Sequence, residues 1–253
     1  MERIHPGRSD IHFHALAGVD DGPVTMEDSL ELARLAVRDG TRTVVATPHI
    51  RRTCVADPGE VRPRVAELQD RLRIEGIPLS VVPGGELDVE MVGSLTQAEL
   101  DEIAVGPTGA RWLLLEAPFD GLERLVDRAA DLRARGFGIV LAHPERAAGV
   151  LAGGCRILRG QLAAGCVTQV SASSLMGAHG HEAQAAAWAL VDSGLAHVIA
   201  SDAHSARRAP CLEAGSDQLL AGGATFVTVR RLIDINPREL VAAGVPRRLP
   251  LAA

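Results

Sequence analysis

The chain has 253 residues, a formal net charge of −6 and no lysine, so all 26 of its basic residues are arginine. That balance argues against a general nucleic-acid binder, which normally carries a basic footprint, and no apolar run reaches the length of a membrane span. Aromatic residues make up only 2% of the chain and tyrosine is absent, so the core has to be built from Ala, Val, Leu and Ile.

Cys54, Cys155, Cys166 and Cys211 are widely spaced and form no Cys-x-x-Cys, which indicates neither a disulfide framework nor a thiolate zinc site. With a charged N-terminus unlike a signal peptide, a reduced cytoplasmic protein is expected. No linker divides the chain, and α/β barrels of about 200–250 residues routinely fold as one unit, so residues 1–253 are expected to form a single domain.

In chain order, the first predicted strand covers residues 9–14 and carries Asp10-Ile11-His12-Phe13-His14. Side chains alternate along a strand, so His12 and His14 point to one side. Asp20-Asp21-Gly22 follows, then a predicted helix over 26–39 with Thr25 at its start and Glu27 and Asp28 near the positive end of its dipole. Further strands are predicted at 43–47, 79–83, 112–117, 138–142, 167–171 and 197–200. Helices are expected at 61–75, 121–135, 155–164, 182–193, 210–221 and 237–243. Gly40, Gly76, Gly136, Gly165 and Gly194 each close a helical pattern, where a left-handed residue is wanted.

Such strand–helix alternation implies parallel pairing with right-handed crossovers. A barrel and an open doubly wound sheet both satisfy it, and the polar residues decide. In a barrel, functional groups come from the C-terminal ends of several strands. Here the second strand ends in Thr47-Pro48-His49 and the third leads into Gly84-Gly85-Glu86. The fourth runs Leu113-Leu114-Leu115-Glu116, the fifth ends in His143-Pro144-Glu145-Arg146, and the last in Ser201-Asp202-Ala203-His204. Charged groups are seldom buried without a partner, so a set at matching strand ends points to shared divalent cations. His/Asp/Glu donors without Cys suit Mn, Fe or Zn, and a multinuclear centre can activate water for phosphoryl transfer. Arg146 is placed to bind an anion in a forked, bidentate way. No nucleotide-binding Gly-x-x-x-x-Gly-Lys loop and no Gly-x-Ser-x-Gly elbow is present. His5, His179, His181 and His197 are not expected to be ligands, although His179 or His181 is placed to reach a substrate.

Together, Asp-x-His-x-His, Thr-Pro-His, His-Pro-Glu-Arg and Ser-Asp-Ala-His resemble the polymerase and histidinol phosphatase (PHP) superfamily. Asp20-Asp21-Gly22-Pro23, Ala46-Thr47-Pro48-His49-Ile50, the stretch from Gln169 to Gly177 and Asn236-Pro237-Arg238-Glu239-Leu240 are similar to its bacterial metal-dependent protein-tyrosine phosphatases of capsule and exopolysaccharide synthesis. The resemblance implies a distorted (β/α)7 TIM-like barrel with three divalent ions, Mn or Fe foremost and Zn admissible. His12, His14, Glu86 and Asp202 would hold the first ion. Glu86 would bridge to a second, held also by Glu116 and His143. The third would take His49, His204 and an acid of the Asp20-Asp21 pair, Asp20 preferred. Arg146 and either Arg207 or Arg208 would grip the phosphate. The implied activity is phosphotyrosine hydrolysis by a metal-bridging hydroxide, the partner being a phosphotyrosine protein such as the tail of a bacterial tyrosine kinase. Two other readings stay open: a phosphatase for histidinol phosphate, a sugar phosphate or a nucleotide, and a non-catalytic metal-binding module of polysaccharide assembly. The chain departs from the family at Ala147, where members often carry an aromatic residue. Residues 51–58, near the expected substrate entrance, also hold no ring on which a phenol could stack.

Overall fold

Every strand pairing in the computed structural model, which describes residues 7–245, is parallel. The strands are β1 (Arg8–Phe13), β2 (Thr41–Ala46), β3 (His49–Ile50), β4 (Ser80–Pro83), β5 (Glu86–Leu87), β6 (Trp112–Glu116), β7 (Gly138–Ala142), β8 (Val167–Ser171) and β9 (Val198–Ala200). Beyond two of the predicted strands, 43–47 and 79–83, the chain resumes pairing for two further residues. Thr47-Pro48 separates β2 from β3, since proline offers no N–H to a ladder. Gly84-Gly85 separates β4 from β5, and a Cβ on Gly84 would lie 2.5 Å from a Val45 methyl, so only glycine allows this approach.

The breaks divide the ladder into a sheet ordered β1-β2-β4 and another ordered β3-β5-β6-β7-β8-β9. The far end returns to the first strand through a parallel bridge between Phe13 and Ala203. Asp202 N–H donates to His12 O at 3.0 Å and His14 N–H to Ala203 O at 2.9 Å. With β2/β3 and β4/β5 each taken as one interrupted strand, seven positions follow one another around a ring. This is the expected distorted (β/α)7 arrangement, and the two breaks are its distortion.

Around the ring lie α1 (Met26–Arg38), α2 (Val61–Ile74), α3 (Gln97–Ile103), α4 (Glu123–Ala134), α5 (Cys155–Ala163), α6 (Ala172–Leu175), α7 (His181–Asp192), α8 (Leu212–Ala221), α9 (Phe226–Arg230) and α10 (Asn236–Ala243). Most match prediction to within two residues. The sequence reading missed α3 although Thr96 and Glu99 form a capping box there. It also missed the one-turn α6, and α9 and the π-helical turn Arg231–Ile235 that carry the chain into α10. Gly40 and Gly136 take φ of +87° and +92°, the left-handed stops expected of them. His5 lies outside the described residues. Among the described residues no helix is long and apolar enough to cross a membrane.

Strand alternation sorts the apolar residues into two layers. Leu113 and Leu115, Ile139 and Leu141, and Ile199 pack in the large cluster beneath the helices. Trp112 and Leu114, Val140, Val167, and Val198 and Ala200 pack with Ile11 and Val45 in a second cluster that fills the barrel. Leu240 of α10 and Val245 join this second cluster, and Trp112 Nε1 donates to Leu240 O at 2.8 Å. The C-terminal segment therefore plugs the end of the barrel where the strands begin, and the opposite end is left to polar groups. Leu114→Ala, which opens a cavity in the inner cluster, is expected to lower unfolding free energy by about 2–5 kcal/mol. Urea titration followed by circular dichroism measures this; a loss well under 1 kcal/mol would contradict the packing described.

Candidate metal centre

The same alternation that buries Trp112 and Leu114 carries Glu116 to the inner mouth of the barrel, and after Val198 and Ala200 it carries Asp202 there. In β1 the register shifts between Asp10 and Phe13, and such an irregularity re-aims side chains. His12 and His14 emerge with their Nε2 atoms 3.4 Å apart. His143 and Asp202 both adopt left-handed backbone, with φ of 33° and 54°. Non-glycine residues pay for that conformation, commonly where a site over-determines them.

Glu86, delivered by the short β5, is the hub. Its Oε2 lies 2.8 Å from His49 Nδ1, 3.4 Å from His12 Nε2 and 3.5 Å from His14 Nε2, while Oε1 lies 2.7 Å from His143 Nε2. Asp202 Oδ1 lies 3.3 Å from His12 Nε2 and 3.5 Å from His14 Nε2. Four overlapping donor groups result: His12, His14 and Asp202; His12, Glu86 and His143; His49, Glu86 and Glu116; and His14, Asp21, His49 and His204.

Hydrogen bonds behind the imidazoles fix how they face the centre. His12 Nδ1 lies 3.1 Å from Gln169 Oε1, His14 Nδ1 2.7 Å from Asp20 Oδ2, and His204 Nδ1 2.8 Å from the Asp202 carbonyl oxygen. Each oxygen accepts the Nδ1 proton and leaves the Nε2 lone pair turned inward, as oriented metal-binding histidines require. Asp20 also accepts from the main-chain N–H groups of Gly22 and His49.

Of the Asp20-Asp21 pair, it is Asp21 rather than the preferred Asp20 whose carboxylate stands beside two histidines of the mouth. Asp20 is spent on His14 and the backbone, whereas Asp21 Oδ1 lies 3.2 Å from His204 Nε2 and 3.4 Å from His49 Nε2. Between the two arginines, Arg208 Nη2 donates to Asp202 Oδ2 at 3.0 Å beside Arg146 Nη1 at 2.9 Å. Arg207 is exposed and makes no ion pair among the described residues, so of these two it is Arg208 that the structure brings to the centre.

The electrostatics are those of a site short of positive charge. Burial opposes ionisation of Glu86 and Asp202, but His12, His14 and His143 outweigh it and hold both carboxyls well below their ordinary range. Burial likewise opposes charging of His14, yet Asp20, Asp202 and Glu86 push its pKa well above the usual value. Burial and then Glu86 raise Glu116 to about 7 against the pull of Arg51. Glu86 Oε2 and His204 Nε2 are buried without a hydrogen-bond partner among the described residues. Donor atoms converging at this spacing, with three of the imidazoles held from behind at Nδ1, form groups that could hold metal ions. Neutral imidazole and carboxylate ligands suit Mn, Fe or Zn.

Three neighbours escaped the sequence reading. Arg51 Nη2 donates to Glu116 Oε2 and to His49 Nδ1, both at 2.7 Å. Its place two residues beyond His49 was the available signal. Gln169 sits on β8 between the inward Val167 and Ser171, a fully buried polar side chain on the inner face. Phe119, three residues beyond Glu116, has its ring centroid 4.8 Å from Arg146 Cζ. His179 stands 3.0 Å from Ser173 Oγ, and burial with the charge of Arg146 lowers its pKa to about 4.

A family model described as capsular polysaccharide synthesis, CpsB/CapC, matches residues 8–242. The tyrosine-protein phosphatase YwqE of Bacillus subtilis is 36% identical over 200 residues, covering 78% of this chain and 78% of that protein. The tyrosine-protein phosphatase CpsB of Streptococcus pneumoniae is 27% identical over 241 residues, covering 92% of this chain and 97% of that one. A crystal structure from a study of YwqE and CpsB, described as unique metal-dependent tyrosine phosphatases, aligns with a TM-score of 0.81 at 30% identity, covering 97% of this chain and 100% of that one. The phosphotriesterase homology protein of Escherichia coli shares the fold, with a TM-score of 0.61 at 16% identity over 92% of this chain and 98% of that one.

Beside the centre, Glu145 is buried, accepts from Ser171 N–H at 2.9 Å and Ser174 Oγ at 2.7 Å, and has its pKa raised to about 7 by burial. A carboxyl raised in the folded state holds a proton that the unfolded chain has released, so the contribution of Glu145 to stability falls as pH rises from 4.5 to about 7. Glu145→Gln removes this titration. Across that window the variant is expected to gain on wild type by on the order of 3 kcal/mol in parallel urea titrations with chelator. A pH-independent difference would contradict the assignment.

Proposed function

The chain belongs to the CpsB/CapC family of capsular polysaccharide synthesis, and from that premise we propose that it is a metal-dependent phosphomonoesterase acting on protein phosphotyrosine. The observation that carries the reading is the meeting of Arg146 and Arg208 on one oxygen of Asp202, whose other oxygen faces the histidine cluster. An anion-binding fork thus stands directly against the metal-donor set, as phosphoryl transfer requires.

We assign His12, His14, Glu86 and Asp202 to one ion, Glu86, Glu116 and His143 to a second, and Asp21, His49 and His204 to a third. Mn or Fe is the favoured occupant, with Zn admissible. Divalent ions supply Lewis-acid polarisation of phosphoryl oxygens and water of lowered pKa. The chain's own residues do the rest. Arg146 and Arg208 hold the equatorial phosphoryl oxygens, kept side by side by Asp202. Gln169 and Asp20 keep His12 and His14 in their working tautomers. A tyrosine phenol has a pKa of about 10, so phenolate departs without a strong proton donor, and no general acid is assigned.

The mouth is open to solvent at Asp21, whose side chain is 56% exposed. A flexible phosphotyrosine tail, such as that of a bacterial tyrosine kinase, suits that open rim. The four cysteines are free, in keeping with a reducing cytoplasm.

The test is a panel of phosphotyrosine peptide, histidinol phosphate and a sugar phosphate, run with Mn and with chelator. Metal-dependent turnover that strongly favours the phosphotyrosine peptide is expected; an intact peptide overturns the reading, and equal turnover of every phosphoester removes its tyrosine component. His49→Ala and Glu116→Ala are expected to lose metal and at least ~10–100-fold in activity, the scale on which even supporting residues of metal sites act. Arg208→Ala should lower kcat/KM by a similar factor while Arg207→Ala stays near wild type; the reverse order would refute the assignment of the fork.

A further inference from the structure

The chain has four phenylalanines, two tryptophans and no tyrosine. Phe13, Phe137 and Trp112 are buried in the core, and Trp188 packs against it. Phe226 lines a cavity with Gly7 and Arg8 at the start of β1, the end of the barrel away from the metal-donor set. That leaves Phe119 as the one aromatic ring at the mouth among the described residues, and it is 51% exposed.

Its setting is ordered. The Phe119 main-chain oxygen accepts from Ala148 N–H at 2.8 Å, tying the loop after β6 to the loop after β7. The ring lies nearly parallel to the His143 imidazole, at 6.0 Å between centroids and 19° between planes. The Arg146 guanidinium carbon stands 4.8 Å from its centroid, within the range of a cation–π contact. Leu151 and Met176, also exposed apolar side chains, sit on the loops after the next two strands of the ring. Around Asp21 and Arg208, by contrast, the rim is charged.

We propose that Phe119 is the specificity-determining residue for aryl phosphates, its exposed ring surface packing against the phenol of phosphotyrosine while Arg146 holds the phosphate. A phosphotyrosine joins an anion and an aromatic ring through one oxygen. The mouth presents the complementary pair, a guanidinium and a ring in contact with each other. Offset or edge-on ring pairs gain an amount that corresponds to about 2–10-fold in affinity. An alkyl phosphate finds the same guanidinium and nothing for the ring to grip.

The inference rests on the phosphatase reading, and binding of non-hydrolysable probes separates the two. Phenylphosphonate and methylphosphonate are titrated calorimetrically into Mn-loaded wild type, Phe119→Ala and Phe119→Trp. Phe119→Ala is expected to weaken phenylphosphonate by about 3–10-fold and methylphosphonate by less than about 2-fold, with Phe119→Trp restoring the difference. Equal weakening of both probes would mean that the ring only props Arg146, and overturns the proposal; so does no change in either. Selective loss of phenylphosphonate in a protein that leaves phosphotyrosine peptide intact sustains the aryl site and defeats the phosphatase reading instead.

Discussion

The organising interaction is the Glu86 carboxylate, buried at the mouth of the barrel with four imidazoles around it. Taking a carboxylate out of water costs several kcal/mol unless positive charge replaces its hydration. In this centre the nearest positive groups are Arg51, Arg146 and Arg208, each already paired with Glu116, Asp202 or Asp21. Glu86 itself is left to the histidines, and it joins Asp202 in raising the pKa of His12, and Asp20 and Asp202 in raising that of His14, against their burial. Divalent cations satisfy the same carboxylates with the imidazoles neutral. The stability of this end of the barrel and its chemistry therefore depend on one charge balance.

The architecture supplies the geometry by breaking its own regularity. Uninterrupted strands would end their apolar runs at one height and spread the ligands around a rim. Instead Pro48 and Gly84-Gly85 interrupt the second and third strands, and each resumes for two residues that carry His49 and Glu86. The registers pair His49 with Glu86 across the ladder and Glu86 with Leu114, next to the strand end at Glu116. Left-handed backbone at His143 and Asp202 turns the ends of two further strands toward the centre. At the other end, Trp112 bonded to Leu240 closes the barrel, so the cost of a polar mouth is offset by an apolar plug.

Much of this was legible in the sequence because two periodicities carried it. Apolar runs of strand length fixed β6 and β7 to within a residue, and ionisable residues at or just beyond the strand ends marked the side chains that the structure gathers at the mouth. What the sequence left open or passed over has physical causes. Asp20 and Asp21 are adjacent and chemically identical, and only the fold of the loop shows that the first is consumed by His14 and two main-chain N–H groups. Arg207 and Arg208 differ likewise by the turn in which Ser205 and Arg208 close on each other. The helix at Gln97–Ile103 is short and its capping signal lay inside a long segment of mixed character. Phe119 belongs to a loop and makes its contacts with residues from another loop, a tertiary relation that periodicity does not encode.

The central claim is that Glu86 joins several cation subsites into one centre. Metal content per chain, measured by inductively coupled plasma mass spectrometry after loading with Mn and desalting, tests it most directly when wild type is compared with Glu86→Gln. The account predicts about three ions in wild type, with loss from more than one subsite in the variant, since multinuclear sites depend on shared carboxylates. One ion or none in wild type, or a full complement retained by Glu86→Gln, would contradict it.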